Sequence, residues 1–285
     1  MKEKPFSKYQ ILANAVMIIW TLAIILPFIL LFMSSITDEN TLVANGYSFF
    51  PKKFSLASYS YIIKSGGQIL KAYGVSIGVT VVGTLLNVLL SALMAYPLSV
   101  KNLPGRNVMM FFVFFTMLFN GGIVPSYIMW TGTFHIKDTI FAQLLPNFLL
   151  SAWNVMMIRT YFTTSIPDGL YEAAEIDGAS QFTIFWKIVL PLGKPILVTM
   201  GTFAGLAYWN DWTNGLYYIV KNTGLYNVQN LLNQMVQNIQ FLTQSSNSNV
   251  TAAASTIPAT GIQMAIAFVA ILPIMLIFPS FQKYY

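Results

Sequence analysis

The chain has 285 residues, of which 56% are apolar and only 8% charged, and its net charge is +6. A soluble chain carries roughly a quarter charged residues, so there is too little charge here to cover a water-facing surface. The absence of cysteine excludes disulfides, zinc–cysteine sites and iron–sulfur clusters. A lone histidine, His135, argues against a histidine metal site or catalytic triad, and no basic stripe with interleaved aromatics points to nucleic acid.

The apolar residues fall in runs, and a transmembrane helix needs about 20 of them. Six runs qualify. The first, Ile11–Ser34, follows Lys2, Lys4 and Lys8. It is long for a cleaved signal core, and Asp38 and Glu39 follow in place of a small-residue cleavage site, so a retained helix is expected. An outside segment, Thr37–Lys71, leads to the second span, Tyr73–Val100, where Gly74, Gly78 and Gly83 with Ser76 and Ser91 suggest close helix packing. A short loop with Lys101, Pro104, Gly105 and Arg106 precedes the third, Val108–Trp130. A polar turn at His135, Lys137 and Asp138 precedes the fourth, Thr139–Tyr161. The fifth is Pro195–Asn214 and the sixth Pro258–Phe281, with an Asn/Gln/Ser-rich outer segment, 215–256, between them. The expected architecture is all-α: a single transmembrane domain over residues 1–285.

With the N-terminus inside, the inner segments hold nine Lys and Arg residues and the outer ones six. The clearest signal is Lys101 and Arg106, tight between two spans. Both termini are therefore expected in the cytoplasm. No charged residue lies in the middle of a span, which weakens an ion-coupled carrier. No G-x-x-x-x-G-K-[ST] loop is present, so any ATP used must bind another chain. Neutral polar residues do occur in the spans: Asn87, Asn120, Gln143, Asn147, Asn154 and Gln263. They either bond helices to each other or line a path.

The segment between the fourth and fifth spans, 163–193, holds four of the nine acidic residues. Ser165 with Asp168 has the spacing of a capping box, and Pro167 suits a first helical turn. Leu170–Ile176 is built of helix formers, Gly178 suits a left-handed helix end, and Ser180 can cap a second helix, 181–190, closed by Pro191. The pattern predicts a short inner helix, a sharp turn and another helix. The first exposes Ala173 and Ala174, which let a partner approach, and Glu172 and Glu175, which can meet basic groups or N–H donors on it. An amphipathic helix on the membrane surface is the alternative, but such helices are usually basic.

Glu172-Ala173-Ala174, then Asp177-Gly178-Ala179, then Ile188 and Leu190-Pro191, resembles the EAA loop of ABC-importer permeases of the maltose-type (type I), binding-protein-dependent family. Further phrases are similar to its oligosaccharide subgroup, the lipoprotein-associated and pectin- or alginate-uptake permeases. These are Phe119-Asn120-Gly121-Gly122-Ile123-Val124-Pro125, Trp153-Asn154-Val155, Trp209-Asn210-Asp211-Trp212 and the ending Phe278–Tyr285. Two departures stand out. The chain stops where the subgroup continues with a short basic tail, and Thr260-Gly261-Ile262-Gln263 stands where it often has an acidic and a basic residue.

The resemblance implies a type I permease fold whose coupling helix, carrying Glu172, Ala173, Ala174, Asp177, Gly178 and Ala179, docks on an ATPase subunit. It implies two ATPase chains that bind ATP and Mg, a second homologous permease, an extracytoplasmic binding protein, and alternating access in a bacterial cell membrane. The cargo implied is an oligosaccharide, uronic-acid-containing ones included. Trp153, Asn154, Tyr208, Trp209 and Asn210 have the chemistry of sugar contacts, aromatic faces with amides beside them. The permease itself would carry no bond-making chemistry and no cofactor. Rival readings are a permease for another small solute, an ion-coupled carrier, and a membrane-bound transferase, for which Asp211 and His135 would be isolated candidates.

Overall fold

The computed structural model describes residues 8–64, 66–244 and 259–281. Among them, helix dominates, and the extended pairing is a single antiparallel bridge between Thr37 and Phe54. The chain divides into two compact units, Met1–Gly67 with Leu232–Met275, and Gln68–Leu231 with Leu276–Tyr285.

In the first unit, α1 (Lys8–Ser35) runs 28 residues and buries only Ser34 and Ser35. A helix apolar all round and exposed along its length belongs in lipid, where every backbone group is already satisfied within the helix. Helices α2 (Glu39–Asn45) and α3 (Ala57–Lys64) follow. The last helix, Ala259–Phe281, also packs here, with Phe32 and Phe268 ring centroids 4.9 Å apart. Its start is held by Glu39, whose two carboxylate oxygens accept the amides of Thr260 at 2.9 Å and Gly261 at 2.8 Å. A negative charge on the free N–H groups of a helix start is favourable both as a cap and against the macrodipole.

In the second unit, α4 (Gly66–Ser99) is a single helix of 34 residues that begins before the expected second span. The third expected span is not straight. Helix α5 (Arg106–Leu118) and α6 (Ile123–Ile128, continued by a wide π turn, Met129–Thr133) meet at 110°. The Asn120 side chain accepts the Gly122 amide at 2.9 Å, and Gly122 has φ +84°. A local side-chain acceptor and a left-handed glycine thus outcompete helix continuation. The fourth expected span is helical only in α7 (Phe141–Leu144) and α8 (Ala152–Ser165). Between them lie Pro146, which lacks a donor, and Asn147, whose φ is +67°.

After α9 (Asp168–Ile176) comes α10 (Gln181–Ile184), which passes through a π turn, Phe185–Val189, into α11 (Leu190–Leu192). Helix α12 (Lys194–Asn210) then leaves at 78°. The outer segment expected over 215–256 contains most of α13 (Thr213–Tyr218) and a 17-residue helix, α14 (Val228–Gln244). Residues 245–256 of that segment, and the ending 282–285, lie outside the described residues. The last helix is numbered α15. By length and composition α1 and α4 can each cross a membrane, and the two bent pairs could each supply one more crossing.

The core of the second unit joins Ala92, Ala95, Tyr96 and Leu98 of α4 to Val155, Ile158 and Phe162 of α8, Ile184, Phe185 and Val189 of the α10 segment, and Met200 of α12. Close packing on α4 occurs at Gly83, where a Cβ would lie 2.4 Å from the Tyr208 ring. Gly74 and Gly78, expected to share that role, face open space.

Candidate functional site

The acidic segment between α8 and α12 folds as a helix with defined ends. Its start differs from expectation: Ser165 is the last residue of α8, and Pro167 occupies the N-cap position of α9 with no side-chain cap. Ser165 cannot cap α9 because its backbone is still helical. Asp168 sits in the first turn, where its charge suits the macrodipole. It pairs with Lys101 from the loop after α4; both side chains are more than half exposed, so the pair contributes little stability.

The C-terminal end is a Schellman motif. Gly178 takes φ +76°, its amide donates to Glu175 O at 3.0 Å, and the Ala179 amide donates to Ala174 O at 2.9 Å. A Cβ at Gly178 would be strained by that φ whatever the surrounding space. Ser180 then caps α10 as expected, its Oγ accepting the Thr183 amide at 3.3 Å.

Helix α9 is seated by one small side chain. Ala174, expected on the exposed face with Ala173, is instead buried and packs with Ala179 and Tyr171 in the cluster built by α4 and α8, because this face of the helix meets the core. The other face carries Leu170, Glu172, Ala173, Glu175, Ile176 and Asp177, all exposed, with Ile176 87% exposed. Three polar and aromatic ties bind this loop to the end of α4. The buried Tyr96 hydroxyl donates to Gln181 Oε1 at 2.5 Å, and Gln181 Nε2 donates to Glu175 Oε1 at 3.0 Å. Tyr96 stacks on Tyr171 at 6.4 Å and packs against Phe185 at 5.5 Å. Burial raises the Tyr171 phenol above its usual value, and the nearby Asp168 charge adds to the effect.

The substrate-path candidates divide into exposed and buried sets. Trp153 is half exposed and Asn210 is exposed, whereas Asn154, Tyr208 and Trp209 are buried. Asn154 Nδ2 donates to Asn87 Oδ1 at 2.7 Å, and Asn87 Nδ2 donates to Phe148 O at 2.6 Å. The Tyr208 hydroxyl donates to Leu144 O at 2.9 Å. Of the neutral polar residues, Asn154 therefore joins α8 to α4, Asn87 joins α4 to the irregular backbone at Phe148, and Gln143 Nε2 donates to Leu225 O at 3.2 Å.

A second polar network was not anticipated. Asp211 Oδ1 accepts the amides of Thr213 and Asn214, Asn227 Nδ2 donates to Asp211 O at 2.6 Å, and Asn214 Nδ2 donates to Pro146 O at 3.1 Å. It satisfies free amides at the start of α13 and the non-helical carbonyls of Asp211 and Pro146, a requirement wherever chain leaves a helix away from water. The Asn-rich composition after Trp209 was the available signal. In the turn before α7, Asp138 (φ +59°) accepts three successive amides, from Val220, Lys221 and Asn222, at 2.7, 2.7 and 3.2 Å. These bonds, that of Lys221 first, hold its carboxyl below the usual carboxylate range.

Residues 74–285 match the family described as "binding-protein-dependent transport system inner membrane component". The chain belongs to this family. It is 35% identical to "Protein LplC" of Bacillus subtilis (strain 168), over 92% of this chain and 86% of that protein. It is 34% identical to "Polygalacturonan/rhamnogalacturonan transport system permease protein YtcP" of the same organism, over 97% of this chain and 94% of that one. Its fold matches, with a TM-score of 0.82 and 26% identity, a chain in the crystal structure of a bacterial ABC transporter involved in the import of the acidic polysaccharide alginate, covering 99% of this chain and all of that one. This permease is thus a membrane protein and a transport subunit rather than an enzyme.

Proposed function

We propose that this permease is one of two membrane subunits of an ATP-binding-cassette importer for an oligosaccharide, with acidic, uronic-acid-containing chains the favoured cargo. The names of the relatives and of the structural neighbour support the cargo class. A second permease, two ATPase chains holding ATP and Mg, and an extracytoplasmic binding protein complete the complex in the bacterial cytoplasmic membrane. The chain crosses six times with both termini inside, in agreement with the nine-to-six distribution of Lys and Arg.

The observation that carries the reading is α9 itself. A helix of nine residues presents an exposed acidic and apolar face, rests on the α4–α8 core through Ala174, and is closed by a left-handed Gly178. Such an element moves as a rigid lever. In this reading, closure of the ATPase pair pulls on Glu172, Ala173 and Asp177, and the pull passes through Ala174 and Ala179 into the membrane helices. Of the sugar-contact candidates, Trp153 and Asn210 offer exposed groups, while Asn154, Tyr208 and Trp209 shape the helices behind them.

ATP hydrolysis by the purified four-subunit complex, with and without sugar-loaded binding protein, tests the reading. Glu172→Lys combined with Gly178→Leu reverses a charge and strains the helix end, and is expected to abolish stimulation in a complex that still assembles. Full stimulation of an assembled mutant complex would overturn the assignment of α9.

A further inference from the structure

The segment Gln181–Leu192, which returns the chain from α9 to α12, lies at 78° to α12. Helix α12 alone has 17 residues, about 25 Å at the helical rise, near the hydrocarbon thickness of about 30 Å. If α12 crosses the membrane from its inner end, as the proposed function holds, the preceding segment is not needed to complete the span and runs nearly along the membrane plane. The bend is braced. Gly193 passes so close to the buried Phe162 that a Cβ would lie 2.5 Å from its ring.

The segment has two faces. Ile184, Phe185 and Val189 are buried in the core. Phe182 and Trp186, one turn apart, are 72% and 54% exposed, and Lys187 beside them is exposed as well. Between Asp177 and Asp211 the only charged residues are Lys187 and Lys194, and both are exposed. Aromatic rings beside lysines are the composition of a membrane–water interface, and a basic in-plane helix with an apolar face is the form that binds anionic lipid. The exposed carboxylates of α9 would be repelled by the same surface, which keeps α9 clear for its partner.

We propose that Gln181–Lys194 is an interfacial elbow, seating Phe182 and Trp186 at the inner-leaflet acyl boundary and holding Lys187 and Lys194 against anionic phospholipid headgroups. A lysine near such a surface strengthens lipid association about fivefold. The elbow anchors the base of α12 at a fixed depth, so that movement of α9 is delivered as a tilt of the span rather than a slide.

The chain has no cysteine, so Phe182→Cys places a single environment-sensitive label in this subunit of the assembled complex, in nanodiscs. Quenching is compared for phosphatidylglycerol and phosphatidylcholine, each brominated high on the acyl chain. The expected result is quenching by both, with a preference for phosphatidylglycerol of up to about 25-fold, about fivefold from each of the two lysines. That preference disappears in Lys187→Gln with Lys194→Gln, while quenching by brominated phosphatidylcholine remains. Quenching by aqueous iodide alone, by neither agent, or equally by the two headgroups overturns the proposal, the second outcome meaning that another subunit covers the face. Stimulated ATP hydrolysis is measured on the same discs. A complex that couples normally but fails the quenching test overturns the elbow alone, whereas the coupling role of α9 stands or falls on the Glu172→Lys, Gly178→Leu comparison.

Discussion

The tie between α4 and the α9 loop is narrow enough to cut with one atom. Tyr96→Phe removes only the hydroxyl that donates to Gln181 Oε1 at 2.5 Å, leaving the ring against Tyr171 and Phe185. Gln181 is exposed, so its freed oxygen reaches water and no buried acceptor is orphaned. The loss is then that of one ordinary hydrogen bond, about 1 kcal/mol. If that bond helps α4 follow α9, a loss of about 1 kcal/mol in coupling corresponds to about a fivefold fall in the ratio of stimulated to basal ATP hydrolysis. Basal hydrolysis and assembly should be unchanged, and sugar transported per ATP should fall with the ratio. Gln181→Leu removes the other half of the bond together with the Gln181–Glu175 contact. The double mutant should be no worse than Gln181→Leu alone, since that variant already severs the connection to Tyr96. A merely structural role would show as a loss of assembly in proportion to the loss of coupling. Native coupling in Tyr96→Phe, or strictly additive losses in the double mutant, would refute the relay.

Two further outcomes follow from the polar contacts. Asn87→Leu leaves Asn154 Nδ2 and Phe148 O without their partner, two hydrogen bonds that inside a membrane protein contribute roughly 0.6 kcal/mol each and up to about 1.7. Unfolding in mixed micelles should show a destabilisation of about 1–3 kcal/mol, partly recovered in Asn87→Leu with Asn154→Leu because one orphaned group is then gone; an unchanged midpoint in the single mutant contradicts the pairing. In the turn before α7, the carboxyl of Asp138 is held below its ordinary value of about 3.9 by the amides of Lys221, Val220 and Asn222. The ordering it supplies is present above that ordinary value and is lost as pH falls through the lower folded value. Those three amides should exchange slowly at neutral pH, lose protection under strong acid, and be unprotected at every pH in Asp138→Ala. Equal protection in the variant at neutral pH would show that other contacts order the segment.

What could be read directly was whatever depends on spacing along the chain. Long apolar runs became α1, α4 and α15 because a helix in lipid must satisfy its own backbone. The end of α9 was legible because a Schellman motif needs little more than a glycine after a helical run, and Gly178 supplied it. Ser180 was legible as a cap for the same local reason, while Ser165 was misread because capping also requires the preceding helix to have ended.

Groups far apart in sequence decided the remainder. Nothing local distinguishes Gly83, which accepts the Tyr208 ring, from Gly78, which faces open space. Nothing local pairs Asn87 with Asn154, sixty-seven residues on. The breaks at Asn120–Gly122, Pro146–Asn147 and Asp211 fall inside runs apolar enough to read as continuous helix. They persist because side-chain and backbone partners elsewhere take up the hydrogen bonds the helix would have made. Hydropathy by itself therefore determined that this chain lives in a membrane, and local residue spacing determined where the short helix α9 ends. Where the helices break, and which face each presents, was decided only by the tertiary structure, since a backbone group freed from a helix must find a partner that sequence spacing does not reveal.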